Sequence, residues 1–376
     1  MKPNKMMQVY YHDKLVGTLA KTKNWKIAFA YDEEWMKSGF AVSPFSLPLK
    51  KQVFVPEKDY FGGLFGAFAD SLPDAWGRLL LERVLKKTGK NPEEYGMLDR
   101  LAIIGDSRMG ALTYRPAKEA QKAVWEEDYD VLAEQCKKIL LTQYSEKLDD
   151  IYRLGGSSGG ARPKIMTKVD GEDWIIKFPA HVDREDVGKM EYDYYLCALK
   201  CGIEMSQCRL FDSEKCEGYF GTKRFDRKAD GSKIHMLTAS AILEMDFEQP
   251  VLDYADLMKL TRILTENNRT DMENMYRRMC FNVYAHNRDD HAKNFSFLYE
   301  EEEKGWRLSP AYDLTYSTTY YGEHTTTVAG NGRNPSEKEL IEVGTGAGLE
   351  AEFCRETAQN MYEVINETLN CYLEKS

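Results

Sequence analysis

Apolar and polar positions alternate most regularly near the start of the chain. In residues 25–31, Trp25, Ile27 and Phe29 alternate with Lys26, Ala28 and Ala30, the two-residue period of a strand with one face on a core. Residues 9–11 and 15–20 are also strand-like, so 8–31 should form a small meander. Prolines 44, 48 and 56 break the following stretch, which predicts no regular element. A helix should then begin near Pro73. Ser71 precedes Leu72-Pro73-Asp74, Asp74 suits the positive helix end, Lys86 and Lys87 the negative one, and Gly89 the stop. A second helix near 98–104 leads through a glycine-bounded turn at 105–110 into a strand at 111–114, and a boundary is placed near 116–122.

The second third of the chain changes character. A charged amphipathic helix is expected at 126–141, then a glycine-rich stretch at 154–164 opening into a hairpin with strands 164–169 and 174–179 around a turn at 170–173. Lys177 therefore sits on a strand soon after the glycines. A helix at 185–201 carries Glu191, and 219–226 reads as another strand. Beyond about 238 the pattern is mostly helical. The clearest segments are 253–266 and 271–286, the second with Met272, Met275, Met279 and Val283 on one side, and Asn334-Pro335-Ser336-Glu337 starts a further helix with a capping-box-like pattern. Between them, 295–299 and 306–308 read as two strands joined by the polar turn 300–305.

Composition bounds the possibilities. The chain has 376 residues with 43% hydrophobic content, enough for two or three domains with proper cores. Its net charge of −10 argues against the chain itself coating nucleic acid, since phosphate binding needs a positive face. Eight cysteines without a CxxC pair fit reduced thiols in a cytosol. The N-terminus lacks an apolar signal core and no run of about 18 apolar residues occurs, so the expectation is a cytoplasmic protein that is neither exported nor membrane-spanning.

The candidate chemistry centres on Asn287-Arg288-Asp289-Asp290-His291-Ala292-Lys293-Asn294, followed nineteen residues later by Asp313. Phosphoryl transfer needs a group that positions the acceptor hydroxyl, oxygen ligands for Mg2+, a cation for the nucleotide and backbone amides for its phosphates. Asp289 has the spacing of the catalytic Asp, Asn294 five residues on that of a metal ligand, and the predicted hairpin returns Asp313 beside Asn294 as the second ligand. The glycine stretch supplies amides that approach phosphate without a Cβ, Lys177 the cation, and Glu191, fourteen residues later, a partner for Lys177. Neither Gly-Lys-Ser/Thr nor GxGxxG is present, so neither of the two nucleotide-binding signatures is met. Lys293 reads as a phosphate contact or a solvated loop cation. His286 and His291, five apart, would lie on different faces of a helix, which disfavours a metal-hydrolase reading and leaves His291 as a loop organiser.

These residues, together with Leu72-Pro73-Asp74-Ala75-Trp76-Gly77-Arg78, Met109-Gly110-Ala111-Leu112, Ile175-Ile176-Lys177-Phe178-Pro179 and Arg224-Phe225-Asp226-Arg227, give nearly the whole chain a likeness to one family. It resembles the HipA family of serine/threonine protein kinases, the toxin halves of bacterial toxin-antitoxin pairs. The resemblance implies an α+β, protein-kinase-like bilobal fold. Its parts would be a small mixed N-terminal subdomain at 1–120, a β-containing nucleotide lobe at 121–226 and a mostly helical C-terminal lobe at 227–376. It implies ATP and Mg2+ as cofactors, with nucleotide bound by Gly159, Gly160, Ala161, Arg162, Lys164, Lys177, Lys223, Phe225, His291, Lys293, Asn294, Tyr312 and Asp313. Asp289 would be catalytic, Asn294 and Asp313 would hold metal, and Ser157 or Ser158 would be autophosphorylated.

The implied partners are a small helix-turn-helix, HipB-like antitoxin that makes most of the DNA contacts, and a protein substrate among translation components, such as an aminoacyl-tRNA synthetase. Two departures stand out: Asp290 where many members have glycine, placing an extra carboxylate near the metals, and Lys223 for a commonly acidic hinge residue. An aminoglycoside- or choline-type small-molecule kinase and a catalytically silent corepressor are the alternatives.

Overall fold

The expected N-terminal meander forms the centre of a five-stranded antiparallel sheet in the order Val53–Phe54, Ile27–Tyr31, Lys14–Lys21, Met6–Tyr11, Leu112–Arg115. In this computed structural model residues 4–104, 108–117, 128–156, 160–246, 249, 252–319 and 321–373 are described. The chain divides into two compact units, Met1–Glu185 with Phe211–Asp246 and Asp186–Leu210 with Phe247–Ser376. Trp25 departs from the expected alternation: it stands outside the strand at φ 66°, 75% exposed, with the Lys21 ammonium 4.0 Å from its ring.

In the first unit, the helix Ala75–Lys87 starts and stops close to the expected positions, with Gly89 at φ 69° behind it. Pro73 precedes the helix instead of joining its first turn. The helices Tyr129–Leu140 and Leu148–Gly155 follow. The second was not anticipated, because the glycines at its end made the whole stretch read as loop. Three strands, Lys164–Val169, Glu172–Lys177 and Tyr219–Lys223, are hydrogen-bonded in that order. The turn between the first two shrinks from four residues to two, since Asp170 (φ 53°) and Gly171 (φ 83°) both take left-handed backbone. Trp76 and Leu80, Leu132 and Ile139, Ile151 and Leu154 bring the three helices together over Ile165, Ile176 and Tyr219 of the strands. Dispersion and burial of this apolar layer fix the helix Leu148–Gly155 to the sheet.

The second unit is organised around the helix Arg269–Tyr284, whose Met272, Met275, Met279 and Val283 are all buried. Its other faces are buried too, through Asn274, Tyr276, Arg278, Phe281 and Asn282, so it is central and not amphipathic. Around it lie the helices Val187–Lys200, Tyr254–Leu264, Glu337–Gly346 and Ala351–Leu373. Ser336 and Glu339 form the expected capping box. The predicted hairpin is present as Ser296–Glu300 and Gly305–Leu308, with Phe297 opposite Leu308. The result is the α+β organisation expected from the sequence. Among the described residues no helix is long and apolar enough to cross a membrane.

Candidate active site

The candidate catalytic loop leaves the C-terminus of Arg269–Tyr284 through His286, at φ 52°. Asn287 is buried and ties the loop at both ends: its side-chain amide donates to Asn282 Oδ1 at 2.9 Å and to the Asp313 carbonyl at 3.2 Å. A parallel bridge joins Asn287 to Ser317, and the Arg288 carbonyl accepts from the Thr325 N–H at 3.0 Å. The loop is therefore held along its length by the segment that follows Asp313.

The hairpin returns the chain to the loop, with the Asp313 carbonyl on the Asn287 amide. Tyr312 Oη donates to the Lys293 carbonyl at 2.6 Å and lies 2.5 Å from Ser296 Oγ, which sets residue 312 against residues 293 to 296. The buried Arg278 guanidinium donates to the Ser309 carbonyl, securing the chain just before this point. Asp313 takes left-handed backbone at φ 53°, uncommon for a residue with a Cβ and a mark of a site held by its surroundings. Asn294 Nδ2 donates to the Asp289 carbonyl at 2.7 Å. An amide oxygen from Asn294 and a carboxylate from Asp313 are hard donors that suit Mg2+, whose remaining positions water and phosphate oxygens would complete. His291 Nε2 lies 3.9 Å from Asp289 Oδ1.

The two consecutive carboxylates differ completely. Asp289 is 60% exposed along its side chain, whereas Asp290 is fully buried. Asp290 Oδ2 accepts from Tyr254 Oη at 2.8 Å and faces His324 Nδ1 at 2.9 Å, while Oδ1 accepts from the Thr326 N–H at 3.1 Å. Its carboxylate is thus used inside the protein, which corrects the expectation of an extra acidic group beside the metals. The reason is geometric: without a helical turn, adjacent side chains leave the backbone on opposite sides.

The first unit holds the remaining candidate nucleotide residues. Gly155 and Gly156 end a helix and pack closely, since a Cβ on Gly155 would lie 2.3 Å from the Lys164 carbonyl oxygen and one on Gly156 would strike Tyr152. Gly160 is different. At φ 79° it donates its N–H to Asp74 Oδ2 at 3.0 Å, and its carbonyl accepts from the Trp76 N–H at 3.2 Å. Asp74 stands at the N-terminus of the helix Ala75–Lys87 as expected, and its carboxylate also receives the Gly160 N–H. A Cβ on Gly160 would come 2.7 Å from Lys164 Nζ, so the absent side chain leaves room for a buried ammonium. Lys164 and Lys177 are directly opposite in the strand register, and Lys177 Nζ lies 5.5 Å from the Phe220 ring centroid. Ala161 follows Gly160, and Arg162 makes a two-point ion pair with Asp183 at 3.0 and 3.1 Å. Lys223 pairs with Glu172, while Phe225, just after the strand Tyr219–Lys223, is half-buried. Glu191 belongs to the second unit, buried on the helix Val187–Lys200. Ser157, Ser158 and Gly159 lie outside the described residues.

Sequence reasoning missed a buried charge cluster just after the strand Tyr219–Lys223. Asp226 accepts from Arg224 at 2.8 and 2.9 Å, from Arg227 at 2.7 Å and from the Gly110 N–H at 2.7 Å. Burial alone would raise its carboxyl, but the two guanidinium charges overcome this and hold it below the usual carboxylate range. Arg-Phe-Asp-Arg in the sequence carried the signal, since two arginines flanking one aspartate can share it when buried.

Comparison with known proteins covers nearly the whole chain. Residues 156–369 match the family model described as the HipA-like C-terminal domain, and residues 7–115 match the HipA N-terminal domain. Two curated relatives from Sinorhizobium fredii, "Putative kinase Y4dM" and "Putative kinase Y4mE", are each 24% identical, over 95% of this chain and 90% of the first relative, and over 84% and 78% for the second. HipA of Shewanella oneidensis MR-1, solved with HipB and its operator DNA, superposes with a TM-score of 0.73 at 16% identity, covering 97% of this chain and 91% of that one. The fold is shared over that extent.

Proposed function

Because the chain belongs to the HipA family, we propose that it is an ATP- and Mg2+-dependent serine/threonine protein kinase, the toxin half of a toxin-antitoxin pair. The observation that supports this reading is the bracing of the loop and hairpin within one unit, with the Asn294 amide on the Asp289 carbonyl, the Asn287 amide on the Asp313 carbonyl and Tyr312 on the Lys293 carbonyl. Asp289, exposed at the end of a braced loop, would orient the acceptor hydroxyl and take its proton. Asn294 and Asp313 would hold Mg2+, which when bound neutralises charge on the transferred phosphoryl group. In the first unit, Gly159 to Lys164 would cradle phosphates, Lys177 would contact them, and Lys223 to Phe225 would border the adenine. His291, Lys293 and Tyr312 complete the proposed nucleotide contacts.

Regulation follows from the same loop. A phosphate of nearly two negative charges on Ser157 or Ser158 would compete with the nucleotide phosphates for the glycine loop. Two relatives named putative kinases, and a HipA solved with HipB and DNA, support a kinase with a HipB-like antitoxin; in this reading the antitoxin carries most of the DNA contacts and the kinase acts in the cytoplasm on a translation component. The test is incubation with labelled Mg-ATP and either a protein extract or free aminoglycosides and choline. Label on protein serine or threonine is expected. Label only on the small molecules would identify a small-molecule kinase, and failure to bind Mg-ATP a corepressor.

A further inference from the structure

Asp290 carries no role in the proposed chemistry, yet its carboxylate is fully buried and engaged at both oxygens. Both oxygens are used, by Tyr254 Oη, His324 Nδ1 and the Thr326 N–H, and its backbone carbonyl accepts from Thr326 Oγ1 at 2.5 Å. Burying a carboxylate is costly unless donors replace water, and three donors converge here. Tyr254 is fully buried, and burial followed by the Asp290 charge pushes its phenol well up, so it stays a donor at any working pH. The same hydroxyl accepts from Asn282 Nδ2 at 2.8 Å. Asn282 Oδ1 in turn receives Asn287, whose amide also reaches the Asp313 carbonyl.

A continuous polar chain therefore runs from Thr326 and His324 through Asp290, Tyr254, Asn282 and Asn287 to Asp313. It meets the catalytic loop at 287 and 290, on both sides of Arg288 and Asp289. The far end of the segment is fastened separately, where Asp253 Oδ2 accepts from Thr327 Oγ1 at 2.6 Å and from the Gly330 N–H at 2.8 Å. Residues 314 to 323 are thus spanned by two fixed ends, one at Asp313 and one at His324.

We propose that Asp290, with Tyr254 and His324, is a positioning brace that locks the catalytic loop and the segment after Asp313 into one rigid piece, fixing Asp289 against Asp313. It acts through Asp289 and touches no substrate. The brace rests on the kinase reading for its effect on rate but not for its effect on loop rigidity. In a hydrogen-bonded network of this kind, losing one member releases its neighbours.

The test compares wild type with Tyr254→Phe, which keeps the ring and its packing, and with Asp290→Asn. In Tyr254→Phe, kcat should fall by about tenfold, as for the loss of one buried hydrogen bond from the transition state, with KM for ATP within about twofold. Asp290→Asn should lose more. Amide exchange in Tyr254→Phe should accelerate in 286–294 and 324–328 while the core helix 269–284 keeps its protection. Unchanged exchange in those two segments, or acceleration spread evenly through the helix, would overturn the brace. Inactive wild type together with selective exchange would overturn the kinase reading alone, and active wild type matched by Tyr254→Phe in kcat would overturn the positioning role.

Discussion

The Asn294 side-chain amide reaches back five residues and donates to the Asp289 backbone carbonyl at 2.7 Å. A carbonyl only accepts, so the amide nitrogen must face it, and Oδ1 is the atom left for a cation. One contact therefore orients the proposed metal ligand and shapes the turn that carries Asp289.

This predicts that Asn294→Ala lowers Mg2+ affinity by at least about tenfold, because both the oxygen ligand and the turn contact are lost. Asn294→Asp should also lose activity, since a carboxylate oxygen would oppose the Asp289 carbonyl. Titrating phosphotransfer with Mg2+ at fixed ATP measures the effect: the Ala variant should need more metal, and an unchanged titration curve would argue against Asn294 as a ligand.

Gly160→Ala should raise KM for ATP severalfold. The residue has φ 79°, and the new Cβ would meet Lys164 Nζ, so the variant strains the backbone and displaces the ammonium. The backbone part should lower stability by about 1 kcal/mol, visible as a lower Tm. Normal ATP binding with normal Lys164 placement would show that this glycine serves the turn alone.

His235 predicts a pH dependence in the first unit. The ring is buried with Nε2 2.8 Å from the Val42 carbonyl, an arrangement for neutral imidazole with that nitrogen protonated. Burial depresses its pKa to about 4, partly opposed by the Val42 hydrogen bond. A depressed folded value means the unfolded chain binds the proton first, so this contribution is complete above pH ~6.5 and is lost as pH falls from there toward 4. The loss should be roughly 3 kcal/mol. Denaturant unfolding across this range should show the decline in wild type and a shallower one in His235→Gln.

The hairpin Ser296–Glu300 to Gly305–Leu308 was legible because a polar run separates two apolar ones, and the start at Ser336 because its capping box is local. The helix Leu148–Gly155 was hidden by glycines that serve packing, a role that depends on the distant Lys164 carbonyl. Asp289 and Asp290 look alike in sequence. Only the folded segment at 324–326 separates an exposed carboxylate from a buried one. Likewise Asp74 is legible as a helix-end residue, but its contact with Gly160, remote in sequence, is not.

The most direct measurement is phosphopeptide mass spectrometry of purified wild type and Asp289→Asn after incubation with Mg-ATP. Wild type should gain phosphate on Ser157 or Ser158, and the variant, losing at least about a thousandfold in rate, should gain none. Equal phosphorylation of the two proteins would contradict the assignment of Asp289 as the catalytic residue.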